Sequence, residues 1–150
     1  MEKILFIFKD KPWYLNHIKN KFSKKFRFRA LYLNNYNQNT RTNILQLINN
    51  FIIKEKIKKV FFDIDYTSFI DKNFVSQILS PKKILYSLDS EENFEKIKNN
   101  LEVFSHFLLA EPKITKNIKE KINYLFFPLE CNEKIFFKKK IKKKYDLFFF

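Results

Sequence analysis

Apolar residues fall along this chain in short runs and short stripes that alternate. Ile4–Phe8 is an uninterrupted apolar run, the pattern of a strand buried on both faces. Asp10, Lys11 and Pro12 break it, and Leu15, Ile18 and Phe22 then recur at helical spacing. Phe26–Leu33 reads as a second strand, with Phe26, Phe28 and Ala30 alternating with Arg27 and Arg29. An Asn-rich loop runs from Asn34 to Asn39. Thr40 or Thr42 can then cap a helix whose stripe is Ile44, Leu47, Ile48, Phe51 and Ile52. Val60–Ile64 is a third strand, ending in Asp63 and Asp65. A short helix around Phe74–Leu79 is capped by Asp71 and ended by Pro81.

Lys83–Leu88 reads as the fourth strand. Asp89 followed by Glu92 predicts a capping box for a helix bearing Phe94, Ile97 and Leu101. Val103–Leu109 is a fifth strand, closed by Glu111 and Pro112. Ile114, Ile118 and Ile122 form another helical stripe, and Tyr124–Phe127 is a sixth strand closed by Pro128. Strands alternating with helices at this spacing imply βαβ units and a mostly parallel sheet with helices on both faces. Right-handed crossovers make that a doubly wound, Rossmann-like three-layer α/β sandwich. Ligands of such sheets bind at the C-terminal strand ends. Here those ends carry Asp10, Asp63, Asp65, Asp89, Glu111 and Glu130.

Composition narrows the chemistry. The 150 residues contain no glycine, so neither a G-x-G-x-x-G dinucleotide loop nor a P-loop can be present. The abundance of Lys, Asn, Ile and Phe matches AT-rich coding, which offers one origin for that absence; a structural cause is the other. A hydrophobic fraction of 45%, with 20 Phe, is enough for a large aromatic core. The lone Cys131 rules out an internal disulfide and suits a reducing compartment. The first apolar run is far too short for a signal peptide or a membrane span, so the expected location is cytoplasmic.

A net charge of +14 invites a polyanionic partner. The charge is nearly all Lys, however, and Arg, which reads bases and phosphates bidentately, occurs only at positions 27, 29 and 41. Nucleic acid is therefore disfavoured against an anionic membrane surface, to which the protein would be peripheral. The Lys-rich stretch 138–144 reads as a solvated linker between a domain at 1–137 and a strand at 145–150.

Candidate side chains each have a plain structural alternative. Asp63 and Asp65 in D-x-D spacing project to one side of a strand, roughly 6–7 Å apart; they can share a cation, or simply cap the loop. Asp89 can serve catalysis or cap its helix. His17 can act as a base if it faces the cleft, but it lies off the helix stripe and is expected to face solvent. His106 is expected inside the fifth strand. Neither His has metal-ligand spacing, so no metal site is expected. Trp13, beside Pro12 and Tyr14, can stack on a sugar or base at the cleft edge, or pack the helix start. A receiver-domain reading lacks the Lys required after strand five.

Several segments together carry a resemblance: Lys3–Ile7 followed by Pro12-Trp13, Ile84–Ser90, Phe107–Pro112, Tyr124–Glu130 with Phe136, and Tyr145–Phe150. In this order they resemble the N-terminal domain of a GT-B-type glycosyltransferase, of the CgeB-like and family-4-like kind. The resemblance implies an acceptor-binding domain that works on a cell-surface glycan or glycolipid precursor. It implies that a nucleotide-sugar donor would be held by a C-terminal domain, supplied by another chain or beginning at 145–150, and that this chain alone is inactive. Asp10, Trp13, Asp89 and Glu111 match cleft-facing loops of that family in location only, and no catalytic residue is implied. The alternative is a stand-alone basic α/β module that binds nucleic acid or another polyanion.

Overall fold

The computed structural model describes residues 1–33, 41–63, 71–80, 82–88, 92–110 and 123–126. Their strands are β1 (Glu2–Phe8), β2 (Phe26–Tyr32), β3 (Lys59–Asp63), β4 (Lys82–Ser87), β5 (His106–Leu109) and β6 (Tyr124–Phe126). The helices are α1 (Leu15–Ser23), α2 (Arg41–Glu55), α3 (Lys72–Ser76) and α4 (Phe94–Asn99). The sheet order is β2-β1-β3-β4-β5-β6, and every described pairing is parallel. This is the flavodoxin-like variant of the doubly wound α/β fold, extended by one strand. The Rossmann-like expectation holds.

Period-2 alternation divides the core into two layers. Ile4, Phe6 and Phe8 of β1 join Phe61, Ile84, Tyr86 and Leu108 on the face covered by Tyr14, Leu15 and Ile18 of the α1 region. Leu5 and Ile7 join Val60, Phe62, Leu85, Phe107 and Leu109 on the other face, under Ile44, Ile48 and Ile52 of α2, Phe74 and Val75 of α3, and Ile97 of α4. All five residues of the first apolar run are fully buried, because β1 is flanked by strands and sandwiched by helices. The edge strand β2 instead exposes Arg27 and Arg29, charges that discourage pairing with another chain.

Local signals divide into those the fold uses and those it overrides. Asp71 caps α3, accepting from the Phe74 amide at 2.8 Å. Its carboxylate also pairs with Arg41, and that bond is the main force holding its pKa below the usual value. Asp89 lies outside the described residues; the helix it was expected to cap starts at Phe94 behind Asn93. Thr42 falls inside α2 rather than before it. Thr40, the 113–122 stripe, the 138–144 linker, the 145–150 strand and Cys131 lie outside the described residues.

The absence of glycine has a visible consequence at the end of α2. The Ile57 amide bonds to the Ile52 carbonyl at 3.0 Å, and the Lys56 amide to that of Ile53 at 3.2 Å. These are the two bonds of a Schellman cap, and Ile57 and Ile52 supply its apolar contact. The cap requires a left-handed residue, usually glycine, and here Lys56 takes it with φ 55°. A side chain in that region costs roughly 1–2 kcal/mol. Lys56→Gly is therefore expected to raise stability by roughly 0.5–1 kcal/mol, after allowing for glycine's greater entropy loss. Urea denaturation would show this as a higher midpoint at unchanged slope; a lower midpoint would mean the Lys side chain has a compensating role.

Candidate functional site

The chain leaves β1 through α1 to one side, then returns through α2 to β3 on the other. β1 and β3 therefore form the topological switch point, the place where doubly wound sheets hold ligands at their C-terminal strand ends. The loop following β1, residues 9–14, lies on one side of this switch point, and Asp63 ends the strand on the other.

Asp63 shares the parity of Phe61 and so points to the α1 face, where its residue is 2% exposed. A carboxylate this buried must be satisfied by hydrogen bonds. The Tyr14 hydroxyl donates one to Oδ2. The Tyr14 ring is buried too, and lies edge-on to Tyr86, 6.0 Å away. Tyr86 is itself the sheet partner of Asp63 on β4. Tyr14 also starts α1, its carbonyl accepting from the His17 and Ile18 amides at 3.0 and 3.2 Å. One side chain thus ties the first turn of α1 to the end of β3.

That tie fixes Trp13. With its neighbour anchored inside, the Trp13 residue is left 80% exposed, and its ring meets the Tyr14 ring edge-on at 5.4 Å. The loop is held at its other end by the Leu33 amide, which lies 2.9 Å from both the Phe8 and Lys9 carbonyls. Lys9, Asp10 and Lys11 are exposed along the same loop. The loop thus carries an exposed indole and three exposed charged side chains. Such a surface can stack against a planar or pyranose ring and hydrogen-bond its hydroxyls.

The predicted site residues separate accordingly. Asp10 and Trp13 are exposed on the loop after β1, while Asp63, at the end of the neighbouring strand β3, is buried. His17 was expected to face solvent. Its residue is only half-buried, yet its Nε2 is shielded and has no hydrogen-bond partner among the described residues. His106 was expected inside its strand. It starts β5, is exposed, and has Nδ1 3.0 Å from Ser105 Oγ. Asp65, Asp89, Glu111 and Glu130 lie outside the described residues. Among the described residues no group of three or more His, Cys, Asp or Glu is placed to hold a metal ion, and no helix is long and apolar enough to cross a membrane.

Sequence reading missed the Tyr14–Asp63 pair. Its signal was present in the parity of Asp63 with Phe61, which turns a strand-end acid toward the helix side. No protein-family model matches this chain, and no curated protein does.

Proposed function

We propose that the switch-point crevice binds a carbohydrate, and that the chain is the acceptor-side domain of a GT-B-type glycosyltransferase acting on a cell-envelope glycan or glycolipid precursor. The observation that carries this reading is Trp13, which is held out at the crevice lip by a buried tyrosine–carboxylate anchor. An indole fixed from behind presents a rigid stacking face. On this reading Trp13 stacks on a sugar ring, Asp10 hydrogen-bonds its hydroxyls, and Tyr14 and Asp63 position the loop. The nucleotide-sugar donor belongs to a second domain, on the same or another chain. Transfer would take place at the cytoplasmic face of the membrane, to which the net charge of +14 draws the protein.

Trp13 is the single tryptophan, so its emission reports on this crevice alone. Titration with a panel of neutral oligosaccharides should change that emission saturably. Trp13→Ala should weaken the same binding, read by calorimetry, by about tenfold, the value of one stacking contact. UDP-glucose alone should bind more weakly than the best glycan. Tighter binding of UDP-glucose would overturn the acceptor-side assignment. Silence toward every glycan, with retention of an oligo(dT) strand at about 150 mM salt, would favour the polyanion module instead.

A further inference from the structure

The opposite end of the sheet carries a second concavity. It lies at the N-terminal strand ends on the α1 face as an open groove of about 670 Å³, within the size range of small-molecule sites. Phe61, Ile84 and Leu108 form its floor, each buried. Phe22, from the last turn of α1, and Phe26 close one side. Leu125 of β6, 59% exposed, stands on the other. This apolar groove differs from the loop after β1, where Lys9, Asp10 and Lys11 accompany one exposed aromatic ring.

Its rim is cationic. Lys59, Lys82 and His106 line the mouth. Lys59 bonds Glu2 at 2.8 Å and sits 4.8 Å from the Phe26 ring centroid. Glu2 is outnumbered: the Lys59 bond holds its carboxyl below the ordinary range, and the charges of Lys58 and Lys82 act in the same direction. Lys82 is exposed and makes no ion pair with a described residue. The mouth therefore has unneutralised positive charge next to an apolar trough. Among the described lining residues there is no arginine, so this part of the rim offers point charges rather than the fork that recognises phosphate bidentately.

We propose that this groove binds a single long-chain carboxylate, with its hydrocarbon chain along Phe61, Ile84 and Leu108 and its carboxylate at Lys82. The chemistry follows from the two halves of the site. An apolar trough alone would take any hydrocarbon, and lysines alone would take any anion; their juxtaposition selects a molecule that has both. This site is independent of the carbohydrate reading, because it lies at the other end of the strands.

The test is calorimetric titration of the full chain with dodecanoate below its micellar concentration, with dodecanol and acetate alongside. Dodecanoate should bind at one per chain, acetate should be silent, and dodecanol should bind about tenfold more weakly, reflecting loss of the charged contact. Lys82→Glu should weaken dodecanoate by about tenfold or more and leave dodecanol unchanged. Leu125→Glu should weaken both ligands. Both substituted positions are exposed, and circular dichroism would verify that the variants stay folded. Equal affinity for dodecanol and dodecanoate, or indifference of dodecanoate to Lys82→Glu, would overturn the proposal in favour of an unspecific apolar patch. No dodecanoate binding, together with self-association that Leu125→Glu abolishes in sedimentation velocity, would overturn it in favour of a second copy of the chain.

Discussion

Phe6→Ala is expected to destabilise the protein by about 3–5 kcal/mol, the range for emptying an aromatic site in a core that cannot collapse. Native domains are stable by only about 5–15 kcal/mol, so this substitution removes a large part of the total. The size follows from position. Phe6 sits in the middle of β1, fully buried, at the centre of the α1-side layer. Its ring stacks on Phe61 at 4.3 Å with the planes 5° apart, and on Phe28 and Phe8 at 5.1 and 5.6 Å. Phe22 meets it edge-on at 5.1 Å and Tyr86 at 6.4 Å. Five rings lose a partner at once, and neighbouring strands fix the backbone on both sides. Phe6→Leu keeps most of the volume and should cost less than half as much. Phe22→Ala, at the partly covered edge of the same cluster, should fall between the two. Urea denaturation of the three variants checks the order; a Phe22→Ala cost equal to that of Phe6→Ala would show that the layer is not organised around Phe6.

The features visible in the sequence were those set by pattern over several residues. The run Ile4–Phe8 announced a strand buried on both faces, and β1 is the strand around which the sheet is wound. The α2 stripe gave its buried line, although only Ile44, Ile48 and Ile52 reach full burial and Leu47 turns outward. Asp71 was legible as a cap because the competing options for that residue are few. Asp89 had the same local chemistry and a matching Glu92, but the chain enters α4 later, behind Asn93. Capping is worth only about 1 kcal/mol, which tertiary packing of Ile97 against the sheet can outweigh. His106 was misplaced by the same limit, since strand boundaries depend on register with neighbours: β5 begins where His106 meets Ile84 of β4. The anchor beneath Trp13 was the least legible feature. It joins residues 49 positions apart in sequence, and neither residue carries a motif. Only the strand order brings the loop after β1 beside the end of β3.

That anchor leads to the second large effect. Tyr14→Phe should cost about 2 kcal/mol, because it removes a donor from a buried carboxylate while leaving the ring in place. The reverse change is milder: Asp63→Asn keeps an oxygen that can accept from the Tyr14 hydroxyl, and it removes the buried charge. The asymmetry separates a charge-assisted bond from simple packing. If the bond carries the cost, Tyr14→Phe should be less damaging in the Asp63→Asn background than alone, with a coupling of about 1–2 kcal/mol. Additivity within about 0.3 kcal/mol would mean that the two residues stabilise the fold independently. The function proposed for the crevice gives the pair a second signature. Once the anchor is cut, the loop should hold Trp13 less rigidly, so its fluorescence anisotropy should fall in Tyr14→Phe even under conditions where the protein remains fully folded. Carbohydrate affinity should then drop with it, although neither Tyr14 nor Asp63 touches the sugar. Lost affinity with unchanged Trp13 anisotropy would place one of the two residues in direct contact with the ligand instead.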